Sequence, residues 1–132
     1  MKQISVFIEN KAGKLAAVTE LLAANDVNLK ALSIADSVEY GILRIVTDQL
    51  DVAVKVLGEA GYLVKVTDVL VVRTKDKVGS LAKIVAALGG IDVAYAYAFT
   101  TTEPGVALLA FRVGDNRKAI ETLRAAGINA SL

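Results

Sequence analysis

A chain of 132 residues that is 55% hydrophobic, with no Cys, no His and a formal net charge of +1, is long enough to bury a real core. It offers no disulfide framework, no thiolate or imidazole for catalysis or metal binding, and no basic footprint for nucleic acid. Charges interrupt every apolar run well short of the roughly 18–20 residues that cross a bilayer, and the start of the chain lacks a signal-peptide core, so a cytoplasmic location without membrane contact is expected.

Met1–Ile8 reads as a strand, with Ile4, Val6 and Ile8 alternating on one face. Glu9–Gly13 is a turn. Lys14–Asn25 is helical, with Leu15, Val18 and Leu22 on one stripe and Leu21 beside it; Asn25-Asp26 closes it. Val27–Ala35 is a second strand, Asp36–Glu39 a hairpin loop and Tyr40–Thr47 a third strand. Asp48 suits the N-cap of a helix over Gln49–Ala60, whose apolar face is Val52, Ala53, Val56 and Leu57. Gly61 suits the left-handed position after that helix, and Tyr62–Val66 is a fourth strand.

The second half repeats this order. Val69–Arg73 is a strand and Gly79–Leu88 a helix carrying Leu81, Ile84, Val85 and Leu88. Val93–Thr100 and Val106–Val113 pair around Glu103-Pro104-Gly105. A helix starting at Gly114 or Asp115 ends at Gly127, and Ile128–Leu132 closes the sheet. Gly13 and Gly79 are 66 residues apart, as are Gly61 and Gly127, and 66 is half the chain. The pattern is a duplication. The expected fold class is α+β: two tandem ferredoxin-like βαββαβ units, residues 1–66 and 67–132, each an antiparallel sheet with helices on one face. Only Thr67-Asp68 separates the two strand patterns, which predicts a rigid join.

The second strand of each unit is apolar on both pleats, which predicts a covered helix-free face and therefore a compact pseudo-dimer or an oligomer, with a homodimer expected. Tyr95, Tyr97 and Phe99 alternate on one pleat where the first half has Ala31, Ser33 and Ala35. Without a basic surface these aromatics do not point to RNA. Tyr40 and Tyr62 read as rim packing. Arg44, Arg73 and Arg112 stand in strands, where each could hold an anion or point outward.

The candidate site is the strand-to-helix turn Asn10-Lys11-Ala12-Gly13-Lys14-Leu15. A helix N-terminus presents unpaired N–H groups and a partial positive charge, which can hold a carboxylate. Asn10 adds a donor and an acceptor, and Asn28 is expected close to the same turn. Together they could hold the two charged ends of a free amino acid. The plainer alternative is that Asn10 caps the helix, Asn28 satisfies a turn and Gly13 permits tight packing. In the second half Asp76, Gly79 and Asp92 stand at the places of Asn10, Gly13 and Asn28, so the two sites cannot hold the same group in the same way.

Ile8-Glu9-Asn10-Lys11-Ala12-Gly13-Lys14-Leu15, followed by Asp26-Val27-Asn28-Leu29 inside a βαββαβ unit, resembles an ACT domain, and the whole chain resembles a free-standing tandem of two. In the serine-sensing ACT domain of phosphoglycerate dehydrogenase two asparagines hold the ligand, and Asn10 and Asn28 match them. Ile8 stands where that domain has a histidine, and Ala12 and Val78 replace the proline usual before the motif glycine. The resemblance implies a non-catalytic, allosteric sensor of an amino acid or related metabolite. The alternative is a ligand-free docking subunit of an amino-acid-metabolic enzyme. No cofactor is implied, and no pair of carboxylates forms a catalytic constellation.

Overall fold

The computed structural model describes residues 1–36 and 40–132. The expected hairpin loop Asp36–Glu39 falls mainly on residues 37–39, outside the described residues. The chain divides into two compact units, Lys2–Thr67 and Asp68–Leu132 with Met1. The first holds β1 (Lys2–Glu9), α1 (Lys14–Ala24), β2 (Ala31–Asp36), β3 (Tyr40–Val46), α2 (Leu50–Glu59) and β4 (Leu63–Asp68). The second holds β5 (Leu70–Lys75), α3 (Ser80–Ala87), β6 (Val93–Ala98), β7 (Val106–Val113), α4 (Asn116–Ala125) and β8 (Asn129–Ser131). Among the described residues, no helix is long and apolar enough to cross a membrane.

Each unit is a four-stranded antiparallel sheet backed by two helices. Strand order is β2-β3-β1-β4 in one and β6-β7-β5-β8 in the other. Alternation decides which residues face the helices. Ile4, Val6 and Ile8 stand opposite Ile45, Leu43 and Gly41, and the first two rows pack with Val18 and Leu22 of α1 and Ala53 and Leu57 of α2. Leu70 and Val72 oppose Phe111 and Leu109, and pack with Ile84, Leu88, Ala119 and Leu123. Each fully buried aliphatic side chain contributes roughly 1.5–3 kcal/mol by removal from water.

The register also aligns the halves. Ser33 opposes Arg44 and Tyr97 opposes Ala110, so Tyr97 occupies the place of Ser33. Tyr95, Tyr97 and Phe99 form a continuous stack on the helix-free face, with ring centroids 6.4 and 6.3 Å apart and interplanar angles of 17° and 22°. That face is buried at Gln3, Ser5 and Ala31 in the first unit and at Val71, Phe99 and Ala110 in the second. The exposed apolar residues of β2 lie on the other side. Leu32 and Ile34 oppose Ile45 and Leu43, hence face the helix layer, yet they are 44% and 48% exposed. Both stand on β2, an edge strand of the sheet.

Several boundaries differ from expectation. β2 begins at Ala31 rather than Val27, and β4 runs to Asp68, leaving Val69 alone between β4 and β5. Asp48 does not cap α2. The N-cap is Gln49, and Asp48 instead forms an ion pair with Lys30. Thr47 takes over part of the role, its Oγ1 accepting from the Gln49 backbone N–H at 3.1 Å. On α3, Leu81 and Val85 are exposed rather than core, because the stripe of Ile84 and Leu88 faces the sheet.

Candidate functional site

Both strand-to-helix turns adopt one geometry. Lys11 N–H donates to the Glu9 carbonyl at 2.9 Å, and Lys77 N–H to the Lys75 carbonyl at 3.0 Å. Lys14 N–H reaches the Lys11 carbonyl, and Ser80 N–H the Lys77 carbonyl, each at 3.2 Å. The residue before each helix is a left-handed glycine: Gly13 at φ 85°, ψ −15°, and Gly79 at φ 87°, ψ −8°. A Cβ built on either glycine would meet nothing within 4 Å. Glycine is therefore present for its positive φ, not for tight packing.

Among the described residues, no side chain caps α1 or α3. Asn10 is therefore not the cap. The contrast is α4, where Asp115 Oδ1 accepts from the Lys118 N–H at 3.0 Å in the usual manner. Beyond the Lys14 and Ser80 N–H groups held by the turn carbonyls, these helix starts have, among the described residues, no side-chain cap for the next N–H groups or for the positive end of the dipole. Lys11 and Lys14 add positive charge beside Ala12 and Gly13. Glu9 lies against them: Lys11 Nζ sits 3.0 Å from its carboxylate, and this hydrogen bond, with the charges of Lys11 and Lys14, holds the Glu9 carboxyl below the usual range.

The structure does not bring Asn10 and Asn28 together within the unit. Asn10 follows β1 at the end where Glu9 opposes Tyr40. Asn28 precedes β2 at the other end, where the Lys30 N–H donates to the Val46 carbonyl. Tyr40 and Val46 are six steps apart on β3, which at about 3.3 Å per residue separates the ends by roughly 20 Å. The expectation of proximity fails because β1 and β2 both run antiparallel to β3, so the end of one and the beginning of the other lie at opposite ends of the sheet's strands. Asp76 and Asp92 are separated in the same way, Asp76 beyond the Lys75–Val106 pair and Asp92 before the Val93–Val113 pair. All four of these residues are exposed.

The other strand charges have assigned places. Arg73 is ion-paired to Glu103, which raises the guanidinium value and lowers the carboxyl value. Arg112 Nη1 donates to the Val113 carbonyl at 3.0 Å. Arg44 stands half-buried between Ser33 and Ser5 on the helix-free face. Tyr40 and Tyr62, expected only as packing, line a cavity of about 390 Å³ that also touches Phe7, Glu9 and Lys14. No local sequence signal points to it, because Phe7, Tyr40 and Tyr62 are far apart in the chain and meet only in the fold.

A family model described as an ACT domain pair matches residues 1–131. No curated protein matches the chain significantly. Among solved structures, a protein from Bacteroides thetaiotaomicron is 36% identical, with 98% of this chain and 90% of that one covered and a TM-score of 0.89. The regulatory subunit of aspartate kinase from Thermus thermophilus, in its ligand-free form, is 18% identical over 96% of this chain and 90% of that one, with a TM-score of 0.70. The corresponding subunit from Thermus flavus is 19% identical at the same coverage, with a TM-score of 0.68. At these last two identities the likeness is one of fold.

Proposed function

Because this chain belongs to the ACT domain pair family, we propose that it is a non-catalytic regulatory protein that binds a free amino acid or a close relative at its strand-to-helix turns. The observation that carries this reading is the repeated pair of uncapped, left-handed turns, alike to within a few degrees at Gly13 and Gly79. Backbone N–H groups over Ala12–Leu15 would take the ligand carboxylate, as helix starts do. Asn10 and Asn28 would fix its orientation. Residues 1–66 and 67–132 would act as two modules; in the second, Asp76, near the Gly79 turn, and Asp92 would each attract an ammonium rather than a carboxylate.

A ligand spanning Asn10 and Asn28 needs them from two copies, since one unit holds them about 20 Å apart. Two-fold, antiparallel pairing of β2 edges would set the Asn28 end of one copy beside the Asn10 end of the other. The exposed Leu32 and Ile34 on that edge support such a homodimer. The ligand would then stabilise one arrangement of the pair, and this difference is the signal. A second reading, docking onto a metabolic enzyme without a ligand, is favoured by the exposed Leu81 and Val85 of α3.

A thermal-shift screen against the twenty amino acids separates the two. The sensor reading predicts a rise of melting temperature for one or a few of them by mass action, and its loss in Asn28→Ala. No rise with any amino acid moves the function to docking.

A further inference from the structure

The helix-free face of the second unit carries a cationic recess. Leu70 and Val72 face the helix layer, so strand alternation turns Arg73 and Lys75 to the opposite side. The register sets Asn129 beside Arg73 and Val106 beside Lys75 on that same side. These four residues and Thr74 line a cavity of about 320 Å³. That volume lies at the small end of the range for small-molecule sites, about 300–1,000 Å³. The places 66 residues earlier hold Phe7, Ile8, Glu9, Tyr40 and Leu63, so the first unit has neither of these two cations.

A carboxylate of the chain itself already holds one of the cations. Glu103, in the turn between β6 and β7, is ion-paired with the Arg73 guanidinium. Its own turn aims it there: the Glu103 N–H donates to Thr101 Oγ1 at 3.1 Å, and the Glu103 carbonyl accepts from the Val106 N–H at 3.3 Å. Both side chains of the pair are solvent-exposed, and exposed pairs contribute little stability. An external anion can therefore displace Glu103 if it gains a second cation besides Arg73. Lys75 supplies it, for among the described residues no carboxylate is ion-paired with its ammonium.

The charges select the anion. With Glu103 displaced, Arg73 and Lys75 leave two positive charges, which a phosphate group at about −1.5 to −2 neutralises. A lone carboxylate only exchanges for Glu103, and the ammonium of a free amino acid meets two cations. The guanidinium fork can take two phosphate oxygens and the lysine a third as a point charge. The Asn129 amide adds a neutral donor.

We propose that Arg73, Lys75 and Asn129 form a phosphate-binding site, for free phosphate or a small phosphate monoester, and that Glu103 occupies Arg73 until the phosphate displaces it. One phosphate binds per chain. The site uses no helix N-terminus and none of Asn10, Gly13, Asn28, Asp76, Gly79 and Asp92, so it stands apart from the amino-acid reading.

A ¹⁵N NMR titration of the full chain with glycerol phosphate and with inorganic phosphate, at neutral pH and constant ionic strength, tests it. The expected result is one saturable set of shifts at residues 73–75, 101–106 and 129, with acetate roughly tenfold weaker or worse. Tighter binding of glycerol phosphate marks the monoester as the source, equal binding marks free phosphate, and either supports the site. Arg73, Lys75 and Glu103 are exposed, so single substitutions there should keep the fold, as circular dichroism will check. Arg73→Gln and Lys75→Gln should each weaken phosphate roughly fivefold or more. Glu103→Gln removes the competing carboxylate and should tighten binding roughly threefold. Glu121→Gln removes an equal charge from the exposed pair with Arg117 and should leave affinity unaltered. If Arg73→Gln proves misfolded, Lys75→Gln and Glu103→Gln decide. No saturable shifts with either phosphate, affinity untouched by Lys75→Gln, or a gain from Glu121→Gln equal to that from Glu103→Gln overturns the proposal. A rise of melting temperature with an amino acid, lost in Asn28→Ala, would still leave the turn reading standing.

Discussion

Replacing Gly13 by alanine tests the geometry of the turn. Gly13 sits at φ 85° with nothing within 4 Å of where a Cβ would stand. No clash is therefore added, and the cost is that of holding an L-residue in left-handed backbone, about 1–2 kcal/mol. Because Gly79 has φ 87° and the same empty surroundings, Gly79→Ala should cost the same within about 0.5 kcal/mol, the usual margin for independent sites. Gly13→Asn should cost less, since asparagine tolerates this region better than alanine does. Urea unfolding with an unchanged slope reads these differences as shifts of midpoint. A loss well under 0.5 kcal/mol in Gly13→Ala would mean that the turn is not left-handed in solution. A loss above about 4 kcal/mol would mean that the space beside it is filled, and either result refutes the reasoning.

Other expectations follow from single contacts. Asp115→Ala removes the side-chain cap of α4 and should cost about 0.5–2 kcal/mol, whereas Asn10→Ala caps nothing and should stay within about 0.5 kcal/mol by the same denaturation measurement. On α3, Ile84→Ala should cost about 2–5 kcal/mol because Ile84 is 1% exposed, while Val85→Ala next to it should cost little in dilute solution and weaken association if that face is an interface. Glu9 and Glu103 should titrate below the ordinary value of 4.5, Glu9 through its hydrogen bond to Lys11 and Glu103 through that to Arg73. The sign is fixed: these pairs contribute fully above that value and are lost as pH falls through the lowered ones. The effect on stability should be slight and weaken further in salt, since both acids are solvent-exposed; carbon-detected NMR titration at two ionic strengths checks it.

Much of the fold was legible because it depends on local chemistry. β7 has the bounds that its apolar run and the Glu103-Pro104-Gly105 turn suggested, and Gly61 and Gly127 take the positive φ expected after a helix. Asp115 caps as its residue type suggests. What was not legible depends on groups far apart in the chain. Asp48 has the same capping chemistry as Asp115, but Lys30, eighteen residues earlier, draws it away. Leu81 and Val85 continue a helical apolar pattern, and only the position of the sheet decides that Ile84 and Leu88 are inside. The turns themselves were visible from Gly13 and Gly79. The separation of Asn10 from Asn28 was not, because it depends on strand direction rather than on either residue. The same holds for the cavity: Phe7, Tyr40 and Tyr62 are distant in sequence and meet only where β1, β3 and β4 converge.

The central claim is that the Gly13 turn receives the carboxylate of an amino acid. The most direct measurement is a ¹⁵N NMR titration of the full chain with the amino acid that gives the largest thermal shift. Left-handed glycine amides beside an uncapped helix start respond strongly to an arriving anion. The account predicts that the amide shifts concentrate on residues 12–16, with a companion change at Asn28. Saturating shifts confined to other parts of the chain, or no saturable shifts at all, would contradict it.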